Sequence, residues 1–204
     1  MKLLTLIALS FFITMTVHAA PTTPVPTDAP ATETADSVKG AENVPVKKVE
    51  ENTHLTMKAD RPSVENFRLK DLSGKEHNLT NFQGKVVVIS FWATWCKPCL
   101  RELKFLKTLK AKHPNKLEVL AVATDGPNTA SRIRPVSIQK KLTMPILLDA
   151  DGSVMASMNA RGILPQSNYL DYQGKLAYAH DGFVAGDEEI ITSAIEALLK
   201  EKQP

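Results

Sequence analysis

Cys96 and Cys99 are the two cysteines of the chain, three residues apart in Trp95-Cys96-Lys97-Pro98-Cys99. The run Val86-Val87-Val88-Ile89-Ser90-Phe91-Trp92 precedes them, and a helical pattern follows. A strand that hands over to Cys-x-x-Cys at a helix start suits thiol–disulfide exchange. The unpaired N–H groups and dipole of a helix N-terminus stabilise negative charge, so the first sulfur is favoured as thiolate. The thiolate is the form that attacks a disulfide. A second cysteine one turn on is close enough to resolve the mixed disulfide that results. Lys97, between the two, adds a positive charge that favours the same thiolate.

One carboxylate belongs with this pair. At about 3.6 residues per turn, Cys99, Leu103, Leu106 and Leu109 share one arc of the predicted helix, and Glu102 falls within it. A carboxyl held in an apolar arc is desolvated, so its pKa is expected to rise. Near neutrality such a group exchanges protons and can serve the Cys99 thiol. The alternative is a side chain that turns outward to pair with Arg101.

The ends of the chain set the context. Lys2 supplies a positive start, Leu3 to Val17 is mostly apolar, and Val17-His18-Ala19 fits a small-residue cleavage site. This predicts a secretory leader over residues 1–19 and a periplasmic or exported protein. The apolar stretch is shorter than the roughly 20 residues that span a bilayer comfortably, and an uncleaved N-terminal membrane anchor is the alternative. Exported chains stabilised by disulfides usually carry several widely spaced pairs. A single pair closing a short loop restrains the unfolded chain little, so chemistry explains it better than stapling.

Residues 20–60 read as a disordered tether. Pro21, Pro24, Pro26, Pro30 and Pro45 are scattered among Thr, Ala and charged residues, and no aromatic occurs between Phe12 and Phe67. Such a segment buries too little to offset the cost of ordering it. Residues 61–204 then form one domain of ordinary size.

The formal net charge is +3. Lys97, Arg101, Lys104, Lys107, Lys110 and Lys112 gather on one predicted helix, with Phe105 as the sole aromatic among them. A solvated helix face with mild attraction for acidic partners is expected, and nucleic-acid binding is not. Structural zinc needs four ligands, and there is no second cysteine pair. Of His54, His77, His113 and His180, only His180 is placed to join the cysteines. A copper-binding or metal-delivery protein is thus the alternative function; otherwise no metal and no cofactor is expected.

The order of elements places the motif. Phe67-Arg68-Leu69 and Glu76 to Leu79 read as short strands about the turn at Asp71-Leu72-Ser73-Gly74-Lys75. Val86 to Phe91 and Leu117 to Ala123 read as buried strands, and Pro98 to about His113 as a helix stopped by Pro114. Thr129 to Leu142 reads as partly helical, interrupted by Pro135. Pro145 to Leu148 is a short strand and Ser153 to Ala160 a short helix. Tyr169 to Tyr172 and Lys175 to His180 form a hairpin about Gln173-Gly174. Asp187 to about Lys200 closes the domain as an amphipathic helix with Ile190, Ile191, Ala194, Ile195 and Leu198 inward. Strands interleaved with helices imply an α/β sandwich with a mixed sheet.

The block Gly84 to Cys99, with Phe67 to Lys75 before it, resembles the exported TlpA/ResA-like thiol–disulfide oxidoreductases of the thioredoxin superfamily. The resemblance covers nearly all of residues 61–202. It implies a thioredoxin-like fold, a mixed central sheet flanked by helices with an N-terminal β-hairpin extension. It also implies that Cys96 attacks, Cys99 resolves and Glu102 handles protons. Pro165, in Gly162-Ile163-Leu164-Pro165, matches the family's cis-proline, beside which the Leu164 backbone pairs with a substrate peptide. Trp95, Lys97, Pro98, Leu164 and Pro165 become the substrate-facing set. Three positions depart from the wider pattern: Ser90 stands where thioredoxin has a buried Asp, Lys104 where a helix-kinking proline is common, and Gln166 where Thr usually follows the cis-proline. The implied activity is reduction of disulfides in exported proteins, apocytochrome c among the candidates, by a monomer with a membrane thiol reductant as electron donor.

Overall fold

The computed structural model describes Thr56 and residues 58–201. The leader expected over 1–19 and the tether expected over 20–60 lie outside these residues, except for Thr56 and 58–60. The strands are β1 (Arg68–Asp71), β2 (Glu76–Asn78), β3 (Val86–Trp92), β4 (Leu117–Ala123), β5 (Ile146–Leu148), β6 (Gln166–Leu170) and β7 (Leu176–Asp181). The helices are α1 (Lys97–Lys112), α2 (Ile133–Gln139), α3 (Ser153–Met158) and α4 (Asp187–Lys200). A single seven-stranded sheet runs in the order β2-β1-β5-β4-β3-β6-β7. Its middle strands β3, β4 and β5 are parallel, while β1, β6 and β7 join antiparallel to their neighbours. The sheet is mixed, with the β1–β2 hairpin added at one side.

β3 and β4 are buried along their whole length, because helices cover both faces. Val86, Val88 and Trp92 meet Leu103, Leu106 and Leu109 of α1 and Ile191, Ile195 and Leu198 of α4. Val87, Ile89 and Phe91 point the other way and pack with Leu79, Leu120, Leu147 and Val154 of α3. Within α4, Ile191, Ala194, Ile195 and Leu198 are buried, whereas Ile190 is half-buried at the helix margin.

Two elements differ from the sequence expectation. Pro135 does not interrupt a helix. A short 3-10 turn over Ala130–Arg132 leads into α2, and Pro135 sits in its first turn, where its missing N–H removes no helical bond. Strand β6 starts at Gln166, earlier than the expected Tyr169. Gln166, Ser167 and Asn168 read as loop by composition, yet all three are buried between β3 and β7.

Ordered chain also begins before residue 61. Lys58–Asp60 forms a 3-10 turn, and the Thr56 N–H donates to Ala177 O of β7 at 2.9 Å. Arg61 anchors this segment. Its guanidinium donates to Asp171 Oδ2 at 3.0 Å and to the Glu201 carboxylate at 2.9 and 2.7 Å. Arg61 and Asp171 are buried, so the ions depend on each other. Asp171 also accepts backbone N–H groups from Gln173 and Lys175, which limits the damage if Arg61 is lost. Arg61→Ala is expected to cost about 2 kcal/mol in urea unfolding. An unchanged midpoint would mean that the network contributes nothing net.

Candidate active site

The site forms where β3 ends and α1 begins. Cys96 is the N-cap of α1 and Pro98 lies in its first turn, where proline's fixed φ suits helix entry. The two cysteines are joined as a disulfide, with an S–S distance of 2.02 Å. The Cys96 sulfur also accepts the Cys99 N–H at 3.3 Å, satisfying a helix-end donor. Cys99 is 0% exposed and Cys96 only 5%. The first cysteine is therefore less open in this oxidised form than an attacking thiol would suggest, because its sulfur is turned back into the cap and the S–S bond. Trp95 beside it is 62% exposed, Lys97 is exposed and Pro98 half-buried.

The loop before Cys96 is held from β4. Asp125, buried just beyond that strand, accepts the Thr94 N–H at 2.9 Å and the Thr94 hydroxyl at 2.6 Å. Sequence reasoning did not single out Asp125, since an Asp after a strand reads as an ordinary turn residue. Asp125→Ala leaves the Thr94 N–H without its partner and is expected to destabilise by about 2 kcal/mol. Asp125→Asn, which keeps one acceptor, should recover most of that loss; equal losses for both in thermal melts would contradict the role of Asp125 in holding Thr94.

Glu102 lies one turn after Cys99 on the inner face of α1 and is 0% exposed. It does not turn out toward Arg101, whose guanidinium instead reaches Phe183 O at 3.3 Å. Two hydroxyls hold the carboxylate. Ser90 of β3 donates to Oε2 at 2.9 Å, and Ser167 of β6 donates to Oε1 at 2.7 Å. Burial pushes the Glu102 pKa up to about 7, against the partial opposition of these two hydrogen bonds, and the charge of Asp187 adds to the rise. Ser90 thus occupies the place of an acidic residue without being one, and positions the acid that α1 supplies. Ser167 carries no local signal in the sequence, because the polar run Gln166-Ser167-Asn168 lacks the apolar pattern of a strand.

The Leu164-Pro165 segment lies between α3 and β6. That peptide bond is cis. Pro165 O accepts the Gly182 N–H at 2.8 Å, which ties the segment to the β7–α4 loop. Leu164 is half-buried, and no described backbone group takes up its N–H or C=O. Gln166 is buried at the start of β6. His180 faces Tyr178 and Asp187 through its two ring nitrogens. Among the described residues, no three His, Cys, Asp or Glu side chains gather to hold a metal.

A mixed sheet of this order, with an exchangeable cysteine pair at the first turn of its long helix, defines the thioredoxin type of thiol–disulfide exchange protein. The AhpC/TSA family model matches residues 62–179, and the chain belongs to that family. It is 36% identical over 123 residues to the thioredoxin-like protein YneN of Bacillus subtilis strain 168, covering 60% of this chain and 71% of the relative. With the thiol-disulfide oxidoreductase ResA of Geobacillus thermodenitrificans strain NG80-2 it shares 35% identity over 127 residues, 61% of this chain and 70% of the relative. Among solved structures, one from Chlorobium tepidum described as the thiol:disulfide interchange protein DsbE superposes with a TM-score of 0.63 at 26% identity, covering 68% of this chain and 96% of the other. The protein is a thioredoxin-like thiol–disulfide oxidoreductase.

Proposed function

We propose that this protein reduces disulfides of exported proteins, with apocytochrome c as one candidate substrate and a membrane thiol reductant as the source of its electrons. The leader-like residues 1–19 support action outside the cytoplasm. The observation that carries the reading is the fully buried Glu102 behind Cys99, held by two serine hydroxyls. A carboxyl at about pH 7 is matched to accepting and returning a thiol proton under ordinary conditions.

In this reading the Cys96 thiolate attacks one sulfur of the substrate disulfide and releases the other as a thiolate. Glu102 then accepts the Cys99 proton. The Cys99 thiolate attacks Cys96 Sγ, breaks the mixed disulfide and releases the second substrate thiolate. The product on the protein is the Cys96–Cys99 disulfide. Exposed Trp95 and Lys97, half-buried Pro98 and the Leu164-Pro165 segment form the surface on which the substrate lies, with the untaken Leu164 backbone groups available to an extended peptide.

The test is the reduction potential of the Cys96/Cys99 pair against pH. A potential nearer the about −270 mV of thioredoxin than the about −120 mV of the oxidant DsbA supports a reductase. A value at the oxidising end would make the protein a donor of disulfides instead. Measurement of insulin-disulfide reduction with a chemical thiol as electron source checks the same direction kinetically.

A further inference from the structure

A row of polar side chains crosses the sheet beneath the site. Ser90 of β3 stands directly opposite Ser167 of β6, and Ser167 directly opposite His180 of β7. Residues in direct register share a face, so this row lies on the face that α1 and α4 cover. Glu102 of α1 is bound to the first two members. The third member, His180, has Nε2 3.2 Å from Asp187 Oδ2 at the start of α4, without the alignment of a hydrogen bond. Its Nδ1 lies 2.9 Å from the Tyr178 hydroxyl. Next to the row is Tyr169, whose buried hydroxyl has no hydrogen-bond partner.

These groups answer a difficulty in the proposed mechanism. Glu102 is 0% exposed, so a proton that it takes from Cys99 has no direct exit to water. His180 and Asp187 side chains are each 13% exposed, and they stand at the end of the row that reaches the surface. We propose that His180, with Asp187, is the proton outlet of Glu102, connected to it across β6 through Ser167, which is hydrogen-bonded to Glu102 and stands directly opposite His180. The inference rests on the reading of Glu102 as the proton acceptor of Cys99. The step balances simply: the proton lost by Cys99 passes from Glu102 to His180 and leaves to bulk water. No electrons move in it. Both residues act through Glu102, and they are positioning residues.

The other charged groups nearby are engaged elsewhere. On β7, Asp181 is paired with Arg161. On α1, Arg101 is turned to Phe183 O. In α4, Glu188 accepts the Gly186 N–H at 3.1 Å. Asp187 itself accepts the Val184 N–H at 2.7 Å, which fixes its carboxylate toward His180.

The experiment uses the reduced protein and follows its oxidation by oxidised glutathione in stopped flow, through tryptophan fluorescence, across pH. His180→Ala is expected to slow the resolving step by about tenfold or more near neutrality. Added imidazole should restore it, and the effect should vanish in a Glu102→Gln background. Asp187→Asn, which preserves the acceptor for Val184, should shift the pH profile without slowing the first attack. Wild-type profiles for both variants would overturn the outlet while leaving Glu102 intact, provided Glu102→Gln still alters the profile. A slow His180→Ala that imidazole does not rescue and that persists in Glu102→Gln would mark a packing defect and equally overturn the proposal. An unchanged Glu102→Gln profile would instead remove the underlying reading, and the outlet with it.

Discussion

Cys99→Ala is expected to accumulate mixed disulfides with its substrates and to lose turnover to the uncatalysed background, whereas Cys96→Ala should accumulate none. Cys96 caps α1, where helix-end N–H groups and Lys97 favour the thiolate, and Cys99 lies one turn inside at 0% exposure. Removal of the inner sulfur leaves the attack possible and the release impossible. Removal of the outer one leaves no accessible nucleophile. Non-reducing gels after acid quenching, with alkylation of the free thiols, distinguish the two variants. Faster alkylation of Cys99 than of Cys96 in the reduced wild type would reverse the assignment.

The second large effect concerns Glu102, in chemistry and in stability. Its folded pKa of about 7 exceeds the value of 4.5 expected of an exposed glutamate. The folded protein therefore binds more protons than the unfolded chain between those values. Stability is fully present below about pH 4.5 and declines as pH rises to about 7. At about 1.4 kcal/mol per pH unit, the contribution lost is about 3 kcal/mol. Glu102→Gln removes the ionisation and keeps the shape. The oxidised variant should unfold at higher denaturant than wild type above pH 7, with the difference gone near pH 4.5. In the reduced state the same substitution should lower the Cys99 thiol pKa, since a neighbouring carboxylate opposes a thiolate, and should slow exchange. Parallel stability curves, or superimposable pH profiles of alkylation, would contradict the burial-based account.

Much of the site could be read from spacing alone. Helical periodicity placed Glu102 on the arc of Cys99 and Leu103, and the structure buries all three together. Two continuous apolar runs marked β3 and β4, because burial on both faces leaves no alternation to confuse the pattern. Of the two partners of Glu102, Ser90 stands out only through the resemblance and Ser167 not at all. Ser167 sits in Gln166-Ser167-Asn168, whose polarity suggests a loop, and only its hydrogen bond to a buried acid explains a serine in mid-sheet. Asp125 escaped for a related reason: it acts on Thr94, 31 residues earlier, and no local pattern records such a contact.

The segment that runs along β7 has a further effect. β7 and β2 are the borders of the sheet. On β7, Thr56 pairs with Ala177, Pro62 O accepts the Leu176 N–H at 3.0 Å, and Ser63 bridges Lys175. On the other border, β2 is three residues long. In the proposed function the protein meets polypeptides that carry disulfides, and such chains, where unfolded, offer extended backbone to any open strand. An unguarded border would recruit them by sheet extension, away from the cysteines, and would seed aggregates. With the start of one border covered by the protein's own chain and the other cut short, the room for such pairing is reduced.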